Sequence, residues 1–320
     1  MRKIYIVTHH DADGSCGAAI FYRKIRESLN YSGTVIEILV DDLSQKIDWS
    51  ALEGADAVFI VDHPYIPELS GKVGQIIWCD HHVNNFGEYD TPNLQGFRSQ
   101  SMSGCELAWL FCYGVPRDQR AVLDYPHDKR ANATIQAIRE KAPDFVRFIG
   151  DNDNWDRKTG KSGMLTFICA NAMLYNLKKK GSIEDWLDMI DKFHVGNTLF
   201  KEVIKNGDTI QKVNAISAHT LLNSNSVPAR FKDHPNIKAI LLNTTNRGSG
   251  MFESVKSEYD VGVAFFINKD LRTTMSFYDL GGKEKHNLGA IAKEYGGGGH
   301  KGAAGCTVNK ITDVFEVIDE

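Results

Sequence analysis

The sequence predicts an α/β protein. It would have an N-terminal, mostly parallel sheet with helices on both faces, a helical connector and a smaller C-terminal α/β domain. Two observations carry this expectation. As far as Asp80, short and nearly continuously apolar runs alternate with helix-like segments, the rhythm of buried parallel strands joined by crossover helices. From Gly104 that rhythm gives way to helical periodicity, and it resumes only after Pro228. The expected boundaries are 1–190 for the first domain, 191–226 for the connector and 227–320 for the second domain.

Taken in order, the strands of the first domain are expected at Lys3–Thr8, Thr34–Val40, Asp56–Val61 and Gln75–Cys79. A crossover helix is expected over Ser15–Leu29, where Ala18, Ala19, Phe21, Tyr22, Ile25 and Leu29 recur at helical spacing. Helices follow at Glu106–Tyr113, at Pro143–Gly150 and from Ile183 to about Leu222, the last broken near Gly196 and Gly207. The turn-rich stretch Asn223–Pro228 marks the passage to the second domain. There, strands are expected at Ile237–Asn243, Val261–Asn268, Thr273–Leu280 and Cys306–Val308, with a helix over Asn287–Tyr295.

The composition, 42% hydrophobic and 24% charged with 8 prolines, excludes disordered, collagen-like and fibrous classes. Lys plus Arg number 37 against 41 acidic residues, a net charge of −4, so no global positive field draws in long nucleic acid. The apolar run Ile4–Val7 is too short for a signal segment, and Leu107–Tyr113 is far short of a bilayer span, so a cytoplasmic chain with no membrane partner is expected. Cys16, Cys79, Cys105, Cys112, Cys169 and Cys306 lie too far apart for a zinc ribbon or a disulfide scaffold.

Three of the expected strands end in carboxylates and imidazoles. The first runs into His9-x-Asp11-x-Asp13, the third into Asp62-His63 and the fourth into Asp80-His81-His82. Along an extended backbone, His9, Asp11 and Asp13 would share one side. A blander reading makes Asp13 the N-cap of the following helix. Ligands of open α/β sheets bind beyond the carboxyl ends of the strands, and unpaired carboxylates gathered there would repel one another unless cations joined them. Asp and His without thiolates fit a pair of divalent ions, Mn²⁺ foremost, with Mg²⁺ or Co²⁺ as alternatives and Zn²⁺ open. Asp62 is best placed to bridge them. The Gly150-Asp151-Asn152-Asp153 cluster, continuing to Asp156, has the same character. Further along, Gly296–Gly299, His300 and Lys301 follow an amphipathic helix, where bare backbone amides and cationic donors suit an anion.

Together these motifs resemble the DHH phosphoesterase superfamily, in the branch with a C-terminal DHHA1 domain that is related to RecJ and includes the nanoRNases. His9-x-Asp11-x-Asp13 stands for the first motif, Asp62 for the second, Asp80-His81-His82 for the third and Asp151 for the fourth. Gly297–Gly305 stands for the glycine-histidine substrate motif. The resemblance implies one metal held by His9, Asp11 and Asp62, and a second held by Asp13, Asp62, His81 and Asp151. His82 would contact the scissile phosphate, and Asp80 would orient the imidazoles. Asp151 is preferred as the fourth-motif ligand because it follows the apolar Phe148-Ile149 run, with Asp153 close behind. Gly297, Gly298, Gly299, His300, Lys301 and Arg272 would bind substrate, Arg272 or Tyr278 replacing an arginine that many relatives carry in a serine-flanked strand. Asn243, Arg247 and the Gly248–Gly250 turn are weaker candidates, and Tyr278 or Trp155 could stack on a base.

The activity implied is metal-dependent phosphodiester hydrolysis, by water activated between two ions, of short RNA or DNA oligonucleotides or dinucleotides, a linearised cyclic dinucleotide among them. The alternatives are a 3′-phosphoadenosine 5′-phosphate phosphatase and, from a different class, an inactive nucleotide-binding scaffold. The intact ligand set speaks against the scaffold. A homodimer is compatible with this reading.

Overall fold

The computed structural model describes residues 2–9, 11–28, 33–41, 47–82, 94–99, 102–115, 139–153, 182–245, 248–281, 285–299 and 301–318. The chain divides into two compact units, Met1–Asp208 and Thr209–Glu320.

The first unit is built on strands β1 (Arg2–His9), β2 (Thr34–Asp41), β3 (Ala57–Val61), β4 (Ile76–Cys79) and β5 (Leu94–Gln95). They form one parallel sheet in the order β2-β1-β3-β4-β5. The β-branched runs of β1, β3 and β4 are buried on both faces, as a covered parallel sheet requires. Helix α1 (Ala12–Ser28) lies on one face, with Phe21 fully buried against Phe59 at 5.0 Å between ring centroids. Burying such a ring contributes about 1.5–3 kcal/mol. Helix α2 (Gly104–Trp109), which runs on into a π-helical turn at Leu110–Gly114, packs on the same side. On the other face, Leu52 and Leu69 from two 3₁₀ turns cover Val58, Ile60, Ile76 and Trp78.

Helices α3 (Asp144–Asp153) and α4 (Ile183–Lys192) complete the described part of this unit. The division between units falls within the long helix α5 (Thr198–Asn225). The expected break at Gly196 lies between α4 and α5, but Gly207 interrupts nothing.

The second unit is a seven-stranded sheet of β6 (Ser226–Phe231), β7 (Lys238–Asn243), β8 (Val261–Ile267), β9 (Thr273–Asp279), β10 (Gly298–Gly299), β11 (Ala303–Val308) and β12 (Phe315–Val317). Its order is β10-β11-β9-β8-β7-β6-β12, antiparallel throughout except for β7 with β8. Helix α6 (Leu288–Glu294) covers one face over Phe231, Phe277 and Phe315, while Leu222 of α5 and Phe252 cover the other. Strand β6 replaces part of the turn expected at Asn223–Pro228. Pro228 pairs opposite Ile240 of β7, one residue before the stretch that pairs with β12, and its carbonyl accepts from Ile318 N at 3.1 Å.

Candidate metal centre

The carboxyl ends of β1 to β4 lie side by side, and each delivers a polar side chain to the same edge: His9, Asp41, Asp62 with His63, and Asp80 with His81 and His82. Asp62 is buried and held at φ 52°, its amide donating to the Cys79 carbonyl at 2.9 Å. His81 Nε2 lies 3.2 Å from Asp62 Oδ1 and 3.1 Å from Asp153 Oδ2. His82 Nδ1–H donates to Asp80 Oδ1 at 2.7 Å and is 3.8 Å from Asp62 Oδ1. The His9 ring packs edge-on against His63 and His82, at centroid distances of 5.1 Å and 5.5 Å.

The first motif does not form a continuous extended ladder. Strand β1 ends at His9 and α1 begins at Ala12, so Asp11 and Asp13 reach their positions through helical geometry. Asp11 is exposed and its Oδ1 accepts from Gly14 N at 2.9 Å, which makes it the cap of its own helix. The cap suggested for Asp13 therefore belongs to Asp11. Asp13 is buried and reaches a different helix: its two oxygens accept from Gly104 N at 2.6 Å and Cys105 N at 3.0 Å, the first amides of α2. Gly104 is there for lack of room, since a Cβ on it would lie 2.6 Å from Asp62 Cβ and 3.0 Å from Asp13 Oδ2.

Electrostatics make the cluster hungry for cations. Burial pushes the Asp62 carboxyl well above its ordinary range, and Asp13, Asp11, Asp153 and Asp80 push it further. Burial does the same to Asp153, reinforced first by Asp13 and then by Asp11. His9 is lowered by burial and by neighbouring His63, which favours the neutral, ligating imidazole. At His82 burial opposes protonation, but the Asp80 hydrogen bond and charge outweigh it and the net shift is upward. Asp80 Oδ2 and Asp153 Oδ2 are buried without a hydrogen bond. Three sets of donor atoms each converge within 4.8 Å: His9-Asp62-His82, Asp13-His81-Asp153 and His9-Asp41-His63, the first and last sharing His9. This chemistry, oxygen and imidazole donors with unmet negative charge, fits divalent metal.

Asp151 turns elsewhere, forming an ion pair with Arg139, whose guanidinium also grips the buried Glu106. Burial raises Glu106 to about 7 against the opposing pull of Arg139.

In the second unit, the glycine run meets several steric needs of its own. Gly296 follows the end of α6 at φ 75°, a Cβ on Gly297 would sit 2.0 Å from the Gly305 carbonyl oxygen, and Gly299 has φ 138°. Gly296 and Gly298 both face open space, and of the two only Gly298 has no positive φ to require a glycine. Lys301 is exposed beside the run, and His300 lies outside the described residues, as do Arg247 and Trp155. Tyr278 sits opposite Ala303, its ring packed near Phe252 and its hydroxyl accepting from Gly248 N at 2.8 Å, as a core residue would. Arg272 precedes the other end of β9 and donates to the Thr307 carbonyl at 2.7 Å. Gly298 pairs through Gly305 with Ser276, which offsets it from Arg272 by about 13 Å along the strand.

Two family models match the chain: the N-terminal domain of the DHH family over residues 3–138 and the DHHA1 domain over residues 237–320. The chain belongs to the DHH family. At the level of the family this makes it a phosphoester hydrolase. Among solved structures, a pGpG-specific phosphodiesterase, PggH, from Vibrio cholerae is 14% identical with a TM-score of 0.45, covering 97% of this chain and 94% of its own. Exonuclease RecJ bound to manganese is 17% identical with a TM-score of 0.46, covering 96% and 86%. RecJ in complex with Mg²⁺ from Thermus thermophilus is 18% identical with a TM-score of 0.45, covering 96% of this chain and 47% of that one. No curated protein matches by sequence. The assignment rests on the two domain models.

Sequence reasoning missed two features of this DHH centre. One is Asp41, whose Oδ2 lies 3.0 Å from His63 Nε2 while His63 Nδ1–H donates to the Pro64 carbonyl at 2.7 Å. Only its place at the end of β2 could have flagged it. The other is the Glu106–Arg139 pair, whose members are far apart in sequence and whose only signal is a charged residue inside an otherwise apolar helix. Among the described residues no helix is long and apolar enough to cross a membrane.

Proposed function

We propose that the chain is a metal-dependent phosphodiesterase that hydrolyses short oligonucleotides or dinucleotides to mononucleotides. What carries the reading is the pair of adjoining His/Asp donor sets at the carboxyl edge of the DHH sheet, joined through buried Asp62. We assign His9, Asp62 and His82 to one side of the centre and Asp13, His81 and Asp153 to the other. Asp153 takes the fourth-motif place because it faces His81, whereas Asp151 is engaged by Arg139. Asp11 caps α1 at the rim. When bound, divalent cations lower the pKa of water and offset charge building on a phosphoryl group.

The remaining work belongs to the protein. Asp80 holds the His82 ring through Nδ1, so Nε2 is the atom left to face the centre. Asp13, anchored by both oxygens to α2, gives its side of the centre a rigid wall. The glycine run, with Gly298 open and Lys301 exposed beside it, is the candidate anchor for a terminal phosphate or base, together with His300. A net charge of −4 suits short substrates, since a long strand would need a basic track.

The test is a length series of 5′-labelled RNA and DNA with Mn²⁺, Mg²⁺ or Co²⁺, run beside 3′-phosphoadenosine 5′-phosphate and cyclic dinucleotides. Di- to tetranucleotides should turn over fastest and release mononucleotides. A faster rate on 3′-phosphoadenosine 5′-phosphate would replace this substrate assignment, and no metal-dependent turnover of any member would remove the enzymatic reading.

A further inference from the structure

The N-terminus of α2 touches the donor sets directly, and Glu106 with Arg139 joins that helix to Asp151 on α3. Gly104 N and Cys105 N donate to Asp13, while Gly104 packs against the backbone of Asp62. One residue earlier, Ser103 N donates to Glu106 Oε2 at 3.2 Å. The other oxygen of Glu106 takes Arg139 Nε, and the same guanidinium reaches Asp151 through Nη2. Asp151 lies two residues before Asp153 on α3, and Gly150 has no side chain where the Glu106 carboxylate docks: a Cβ there would lie 2.3 Å from Glu106 Cδ.

We infer that Glu106 and Arg139 are positioning residues that set the affinity of the centre for divalent metal, by locking α3, and with it Asp153, to the helix that already holds Asp13. The inference rests on the metal reading above. Its physical basis is that a buried carboxylate is costly unless paired, and Glu106 is fully buried. A neutral hydrocarbon would serve packing alone at lower cost, so the ion pair is accounted for by the fixed geometry it imposes. Only a planar guanidinium can bridge two carboxylates in this way, which makes Arg139 irreplaceable by lysine. Three ligand-bearing segments that are remote in sequence then share one rigid reference. Groups that orient metal ligands typically change metal affinity 10–100-fold when altered.

The experiment is calorimetric titration of the intact, metal-stripped protein with Mn²⁺ alone, comparing wild type, Glu106→Gln and Arg139→Lys. Neither residue belongs to a donor set, so an effect on binding cannot arise from losing a ligand. Both variants should unfold cooperatively, bind Mn²⁺ about 10–100-fold more weakly and regain most of their kcat at saturating Mn²⁺. The double variant should be little weaker than either single one, because both break the same linkage. Wild-type Mn²⁺ affinity in either cooperatively folded variant overturns the inference. So does loss of cooperative unfolding in both, which would place the pair in the fold at large. Absence of Mn²⁺ binding by wild type would instead strike the underlying metal reading.

Discussion

Asp62 shows how far the centre departs from what stability alone would select. A non-glycine residue at φ 52° costs about 1–3 kcal/mol, and this one also buries a carboxylate among others. Asparagine accepts the same backbone conformation and removes the charge. Asp62→Asn should therefore abolish metal-dependent hydrolysis while unfolding at an equal or higher temperature than wild type in metal-free buffer. A stable variant that retains turnover would contradict the bridging role. The pH dependence follows from the same residue. Its carboxyl is raised above the usual 3.8 by burial and by Asp13, as is that of Asp153. A raised acid adds stability that is complete below the unfolded value and lost as pH rises through the folded one. Metal-free wild type should thus gain stability relative to Asp62→Asn as pH is lowered from neutrality toward 4. Saturating Mn²⁺ should erase that gain, and denaturant melts across this pH range measure both. The residue types of the centre were legible in the sequence. The choice between Asp151 and Asp153 was not, because two carboxylates two positions apart on one helix point in different directions, and only packing against Arg139 and His81 tells them apart.

At the level of elements, α2 organises more than its six residues suggest. Its N-terminus meets Asp13 and the backbone of Asp62, and Gly104 permits both approaches. Gly104→Ala would force a Cβ to within 2.6 Å of Asp62 Cβ. It should cost about 1–3 kcal/mol of stability and weaken Mn²⁺ binding together, as chemical denaturation and calorimetry on the same sample would show. If Mn²⁺ affinity were unchanged, α2 would not be the reference for the centre. The glycine run teaches a related lesson. Read as sequence, it is a cradle for anions; read as structure, Gly296, Gly297 and Gly299 are required by a helix end and by close contact with β11, which begins at Ala303, earlier than expected. Arg272 illustrates the reverse. Its place beside β9 was legible, but antiparallel pairing puts it at the end of the strand away from Gly298. Arg272→Ala should leave kcat/KM on dinucleotides within about twofold of wild type, since the arginine only caps the Thr307 carbonyl. A larger loss would return it to the substrate site.

Over the whole molecule, each unit has its own hydrophobic core, one centred on Val58, Ile60 and Trp78 and the other on Phe231, Phe277 and Phe315. The proposed ligands all fall in the first. A ligand that binds only the folded form stabilises by about 2.7 kcal/mol at a hundredfold excess over Kd. Hydrogen exchange should show Mn²⁺ raising protection in β1, β3, β4 and α1 but leaving the seven-stranded sheet unchanged. Equal protection of both sheets would tie the second unit to the metal. By itself the sequence determined the α/β class, the four principal strands and the chemistry at their ends. Alternation of apolar runs is a local property, and so are the Asp and His residues that end them. Tertiary structure decided which carboxylate faces the centre, where Asp11 and Asp13 spend their oxygens, how strands β6, β10 and β12 find partners and that Glu106 needs Arg139. Those outcomes depend on groups brought together from distant parts of the chain, and a one-dimensional pattern holds no record of who meets whom.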